Sequence, residues 1–272
     1  MYEKEIETAR AVAIEAGRII LDIRARGAKV DWKGERDPVT EADRAASRYL
    51  VATLEDVFPE DGVLSEEEAD DAGRLGKARV WIVDPLDGTQ EFVDGLDQYA
   101  VMVGLGVEGK AVLGVVYRPQ AEQLLLAAPG LGAWEEMRSG RRKLQVTRAG
   151  SIPDARLVAS RSHLSPLVAK VAEAMGLRNP PLRLGSVGLK VALLSAGEAD
   201  LYVHMGPGIK EWDTCAPEAI LTLAGGKVTD PFGEPLRYNQ ADVRRKEGVI
   251  ASSGGALHDA AVKAATCVLQ SR

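Results

Sequence analysis

The sequence predicts a mixed fold, α+β over residues 1–148 and α/β over residues 149–272. Two observations carry that prediction. The first half holds two helical stretches and then valine-rich runs joined by tight turns, the pattern of helices laid on a largely antiparallel sheet. From about residue 150 short apolar runs alternate with helical stretches, the rhythm of an α/β layer. The change of rhythm falls near residues 146–152.

Ile6, Ala9, Ala13, Ala16, Ile20 and Ile23 recur at spacings of three and four, which marks a long amphipathic helix ending near Gly27. Thr40 is placed to cap a second helix, with Asp43 in its first turn and Leu50 and Leu54 on its apolar face. An acidic loop around Ser65-Glu66-Glu67-Glu68 leads to a strand over residues 81–83. Residues 100–107 and 111–117 read as strands joined by a Glu108-Gly109-Lys110 turn, and residues 124–127 as a further strand. In the second half, strands are expected over residues 156–160, 201–204 and 249–252. Helices are expected over residues 166–175, 189–196, 214–224 and 256–269.

Gly104-Leu105-Gly106-Val107-Glu108-Gly109 fits the spacing of the dinucleotide fingerprint G-x-G-x-x-G, which requires a helix after the last glycine. Here a hairpin and another strand follow, so these glycines read as sheet and turn residues. Composition narrows the field further. A chain that is 46% hydrophobic and 27% charged is an ordinary globular one. Its net charge of −6 argues against a nucleic-acid polymer as partner. No apolar run approaches the roughly 20 residues that span a bilayer, and the charged start, Met1-Tyr2-Glu3-Lys4-Glu5, does not read as a signal peptide. Cys215 and Cys267 show no metal-ligand spacing, and a reducing cytoplasm is the expected compartment.

The most informative stretch is Asp84-Pro85-Leu86-Asp87-Gly88-Thr89, directly after the strand at 81–83. Pro85 stiffens the turn between two carboxylates, and Gly88 permits close approach of backbone to a ligand. Asp43, Glu66 and Asp213 each stand at a turn or helix start as well. Alone, each has a structural reading: Asp213 as a helix cap, Asp43 as a first-turn acid, Glu66 as a solvated loop residue. Together they point elsewhere. Like charges about 4 Å apart repel by roughly 4 kcal/mol at an effective dielectric near 20. Convergent carboxylates therefore call for a hard cation such as Mg²⁺, which often bridges to substrate phosphate.

Asp84-Pro85-Leu86-Asp87-Gly88-Thr89 resembles the D-P-[IL]-D-G-T signature of the inositol monophosphatase superfamily of metal-dependent phosphatases. Trp212-Asp213 with Ala216 resembles its W-D-x-x-[AP] signature. Asp37-Pro38-Val39-Thr40-Glu41-Ala42-Asp43 is similar to its D-x-V-T-x-x-D segment, and Leu64-Ser65-Glu66-Glu67 to its [GS]-E-E segment. The order is the family's, and the likeness covers nearly the whole chain. Trp212-Asp213-Thr214-Cys215-Ala216-Pro217-Glu218 and Asp87-Gly88-Thr89-Gln90-Glu91-Phe92 look like the 3′(2′),5′-bisphosphate nucleotidase branch. Ser160-Arg161-Ser162-His163 is similar to a nucleotide-contacting segment of that branch, and Gly185-Ser186-Val187-Gly188-Leu189-Lys190 to its G-S-x-x-K-type stretch, lengthened by about a residue. His204 departs from it, since several nucleotidases carry arginine there.

The resemblance implies a layered α-β-α-β-α sandwich of the sugar phosphatase type. It implies two or three Mg²⁺ ions, with Li⁺ inhibitory. Glu66, Asp84 and the Leu86 carbonyl would hold one ion, and Asp84, Asp87 and Asp213 another. Asp43 and Thr89 would be the catalytic pair that orients a water and takes its proton. Gly88 and Thr89 would cradle phosphate through their N–H groups, and Ser162, His163, Ser186, Lys190 and Asp213 would contact substrate. Cys215 is expected only to pack. The implied reaction is hydrolysis of 3′-phosphoadenosine 5′-phosphate to AMP and phosphate. Inositol 1-phosphate or fructose 1,6-bisphosphate is the alternative substrate, and a non-catalytic nucleotide or metal sensor the alternative of another class. The expected partner is a small phosphorylated molecule, with neither nucleic acid nor membrane, and the chain is expected to be a monomer or homodimer.

Overall fold

The structure is a computed structural model and describes residues 2–34, 37–161 and 165–271. Helix α1 (Glu3–Ala25) buries Ile6, Ala9, Ala13, Ala16, Ile20 and Ile23 along one side, as their spacing predicts. A hairpin of β1 (Val30–Gly34) and β2 (Asp37–Thr40) follows, which the sequence reading lacks. Helix α2 (Glu41–Val57) starts on Thr40, whose side chain accepts from the Ala42 and Asp43 N–H groups. Asp43 closes the capping box by accepting from the Thr40 N–H at 2.8 Å.

Seven strands then form one sheet in sequence order: β3 (Gly62–Ser65), β4 (Arg79–Asp87), β5 (Ala100–Val107), β6 (Lys110–Arg118), β7 (Gln123–Ala128), β8 (Gly132–Met137) and β9 (Gly140–Lys143). Only β3 and β4 run parallel; every other neighbouring pair is antiparallel. A short helix, α3 (Thr89–Val93), sits between β4 and β5.

The second half runs β10 (Leu157–Ser160), α4 (Pro166–Ala174), β11 (Leu182–Leu184), α5 (Val187–Ser195), β12 (Leu201–Met205), α6 (Glu211–Leu223), β13 (Lys227–Thr229), β14 (Gly248–Ser252) and α7 (Gly255–Gln270). Its sheet has the order β11-β10-β12-β14-β13. β10 is parallel to β11 and β12, while β14 is antiparallel to β12 and β13, so the alternation yields a mixed sheet.

The elements stack in five layers: α1 and α2, the seven-stranded sheet, α5 and α6, the five-stranded sheet, then α4 and α7. Alternate residues of each strand serve the two faces. Trp81, Val83, Val101 and Val103 pack toward α1 and α2, while Val80, Ile82 and Met102 pack toward α5 and α6. This is the sandwich implied by the resemblance. Among the described residues, no helix is long and apolar enough to cross a membrane.

The first glycine of the false fingerprint has a packing role that it shares with Gly114. Gly104 and Gly114 lie opposite each other on β5 and β6. A Cβ on Gly104 would come within 2.7 Å of Cys215 Sγ, and one on Gly114 within 2.2 Å of the Ala216 carbonyl oxygen. The bare patch lets α6 lie directly on the sheet.

Candidate active site

Two acids come from one strand. Asp84 lies opposite Met102 and Asp87 opposite Ala100, so three steps along β4 match two along β5. In a regular strand, residues three apart face opposite ways. The extra residue is a β-bulge, and it returns Asp87 to the face of Asp84. That face looks toward α5 and α6, where Met102 and Ala100 pack. Leu86, between them, turns to the α1 side. Gly88 follows at φ 101°, where a Cβ would meet the Gln98 carbonyl oxygen at 2.7 Å.

The third acid arrives on α6, seated on the glycine patch. Asp213 is not the helix cap that its position suggests: Lys210 holds that place, and Asp213, in the first turn, accepts from the Lys210 N–H at 2.6 Å. Oxygens of Asp84, Asp87 and Asp213 all lie within 4.8 Å of one another. Burial drives the Asp84 carboxyl well above the usual carboxylate range, and Glu66, Asp87 and Asp213 push it further. Asp213 is raised to about 8 by burial and by Glu66 and Asp87. Glu66 stands beside the trio and is raised to about 7 by burial, although Lys33 and Lys210 draw it down. Their ammonium groups lie 3.6 and 3.9 Å from its Oε1. The donors are all hard oxygens that repel one another, which fits Mg²⁺ and not a soft metal.

Thr89 and Asp43 meet as expected. The Thr89 hydroxyl reaches Asp43 Oδ1 at 2.8 Å and the Leu86 carbonyl at 3.0 Å. Burial raises the Asp43 carboxyl, while hydrogen bonds from Thr40 and Thr89 pull it back down.

A cavity of about 250 Å³ opens beside the acids, lined by Val187, Lys190, Tyr202, His204, Ile209 and Asp213 among others. Lys190 is buried, its Nζ 3.4 Å from the Leu184 carbonyl and 5.5 Å from the Tyr202 ring centroid, and burial lowers its pKa. Burial also lowers His204, whose Nε2 finds no hydrogen-bond partner among the described residues.

Asp84, Asp87 and Asp213 thus converge, Glu66 is near enough to raise Asp84 and Asp213, and Thr89 links Asp43 to the Leu86 carbonyl. Lys190 enters the cavity wall. Ser186 instead turns its hydroxyl onto Asp87. Ser162 and His163 lie outside the described residues. Cys215 is buried, and its thiol is pushed well up by burial, as suits a packing residue. Sequence reasoning missed Lys33, Lys210 and Tyr202. Of these only Lys210, directly before Glu211-Trp212-Asp213, had a nearby motif as a signal. Arg161, named in the sequence only as part of a nucleotide-contacting segment, bonds Glu91 at 3.1 Å and Asp94 at 2.5 Å and so ties the end of β10 to α3.

Comparison with known proteins places this arrangement. The inositol monophosphatase family model matches residues 1–270. The chain is 38% identical over 212 residues to the 3′(2′),5′-bisphosphate nucleotidase CysQ of Escherichia coli K12, covering 76% of this chain and 81% of that protein. It is 33% identical over 268 residues to mouse 3′(2′),5′-bisphosphate nucleotidase 1, covering 86% and 85%. Among solved structures, CysQ from Bacteroides thetaiotaomicron superposes with a TM-score of 0.78 at 31% identity, over 93% of this chain and 99% of that one. An inositol monophosphatase from Thermotoga maritima superposes with a TM-score of 0.80 at 28% identity, over 100% and 99%. The chain belongs to the inositol monophosphatase family, on its 3′(2′),5′-bisphosphate nucleotidase branch, and is a hydrolase of small phosphate esters.

Proposed function

We propose that this protein hydrolyses 3′-phosphoadenosine 5′-phosphate to AMP and phosphate in a Mg²⁺-dependent reaction. The observation that carries the reading is the shared wall between the acid cluster and the cavity, since Asp213 belongs to both and Lys190 stands beside it. Asp84, Asp87 and Asp213 would hold Mg²⁺, with Glu66 and the Leu86 carbonyl as further donors. When bound, such ions supply Lewis acidity toward water and phosphate and offset the charge that develops on the leaving oxygen.

The chain's own groups do the rest. As the Thr89 hydroxyl oxygen takes a proton from the attacking water, it passes its own proton along its hydrogen bond to the Asp43 carboxylate. Water adds to phosphorus as the bond from phosphorus to the ribose 3′ oxygen breaks, and that oxygen takes up a proton from solvent. Gly88 and Thr89 present backbone N–H groups to the phosphate. Lys190 supplies a buried positive charge to the nucleotide, and the apolar cavity wall takes the nucleoside. Ser162 and His163, outside the described residues, would be further substrate contacts by the resemblance alone. Lithium competes for the cation sites and inhibits.

Side-by-side turnover of 3′-phosphoadenosine 5′-phosphate and myo-inositol 1-phosphate with added magnesium tests the substrate. The nucleotide should prevail in kcat/KM. A preference for inositol phosphate by roughly tenfold would overturn the nucleotide assignment, and no hydrolysis of either would favour a sensor.

A further inference from the structure

Ser186 adopts φ 54° and ψ 129°, a conformation outside the left-handed helical well and rare for any residue bearing a Cβ. Such strain persists only where surrounding contacts enforce it. Here the contacts converge on Asp87. The Ser186 hydroxyl donates to its Oδ2 at 2.5 Å, the Gly188 N–H to the same oxygen at 2.7 Å, and the Val187 N–H to Oδ1 at 3.0 Å. Gly188 permits the approach, since a Cβ there would lie 2.6 Å from Met102 Sδ and 3.3 Å from Asp87 Oδ2.

We infer that Ser186 is a positioning residue for a divalent cation, acting through Asp87, and not a substrate contact. A hydroxyl has one proton, and this one is committed to Asp87. The same oxygen also accepts from the Leu189 N–H at 3.0 Å, capping α5. A phosphate oxygen seeking a donor finds none in the Ser186 hydroxyl. Asp87, for its part, has about four acceptor sites, and the start of α5 fills three of them. What remains suits a single cation bond from a carboxylate that cannot rotate. Outer partners of this kind tune the affinity of the ligand they hold. The inference rests on the proposal that Asp87 is a cation ligand.

Metal-stripped wild type, Ser186→Ala, Ser186→Gly and Asp87→Asn should be titrated with Mn²⁺ by calorimetry, with kinetics at saturating Mg²⁺ alongside. Ser186→Ala should weaken Mn²⁺ binding by about 10- to 100-fold. Its KM at saturating Mg²⁺ should stay within about twofold of wild type. Ser186→Gly relieves the backbone strain but also lacks the hydroxyl, so it should show the same loss. It carries the test if the alanine variant does not fold. Wild-type Mn²⁺ affinity in Ser186→Ala, with KM raised, would overturn the inference and return Ser186 to the substrate. Wild-type affinity in Ser186→Gly would overturn it as well, by making the backbone and not the hydroxyl the determinant. If Asp87→Asn binds Mn²⁺ as wild type does, the ligand assignment itself fails, and that outcome is separable from the others.

Discussion

The Thr89 hydroxyl donates to Asp43 Oδ1 across 2.8 Å, although the two residues lie 46 positions apart. The bond fixes the direction of the Thr89 proton and therefore the lone pair offered to water. Thr89→Ala should lower kcat by roughly 10²- to 10⁴-fold, with Mn²⁺ affinity unchanged. Thr89→Ser, which keeps the hydroxyl, should retain most of the activity. Steady-state kinetics paired with calorimetry reads both, and equal loss in the two variants would contradict the role.

Asp84 should reveal itself through stability as well as activity. Its carboxyl is raised in the folded state, so the share of the metal-free protein's stability that Asp84 governs is greatest below the ordinary carboxylate value and is lost as pH rises through the shifted one. Asp84→Asn removes that burden. The variant should release no phosphate, yet in EDTA at pH 8 it should melt at a higher temperature than wild type. Added Mg²⁺ should raise the melting temperature of wild type and leave that of the variant nearly unchanged.

His258 predicts acid sensitivity far from the acids. Its ring is buried between the hydroxyls of Ser252 and Thr229, at 2.8 and 3.0 Å. Burial lowers its pKa from 6.5 to about 4. Between those values the unfolded chain binds a proton that the folded one refuses, so stability present above pH 6.5 drains away as pH falls toward 4. At roughly 1.4 kcal/mol per unit, the loss is on the order of 3 kcal/mol. Urea titrations from pH 7 to 4 should show a shallower decline for His258→Asn than for wild type.

Gly114 should tolerate no side chain. A Cβ there would press within 2.2 Å of the Ala216 carbonyl oxygen, a backbone atom that cannot swing aside. Gly114→Ala should cost about 1–3 kcal/mol of stability. It should also weaken Mn²⁺ binding, because the same helix carries Asp213. Chemical denaturation and calorimetry on one preparation separate the two effects.

The helices and long strands were legible because their periodicity is carried by buried residues such as Ile6, Ile20, Leu50 and Val103. Strands β1 and β9 were not, since every residue in them is exposed and only edge pairing defines them. Strands β11 and β13 span three residues each, too few to show an alternation. Asp84, Asp87 and Asp213 could be named from motif and position. The bulge that brings the first two to one face could not, because it is a property of pairing with β5. The partner of Ser186 was hidden for a similar reason: Asp87 lies 99 positions away. Lys33 and Lys210 reach Glu66 from separate segments that no spacing connects.

Two of the three clustered acids ride on a strand and the third on a helix that joins the chain much later, at residue 213. An ion held by all three is therefore a clasp between sheet and helix, and part of its binding energy is docking energy for α6. A nascent chain that has emerged only through α3 already owns Asp43, Asp84, Asp87 and Thr89, yet it lacks the clasp. Reactivity in this molecule thus cannot precede the synthesis of α6, and it reports that the middle layer has closed.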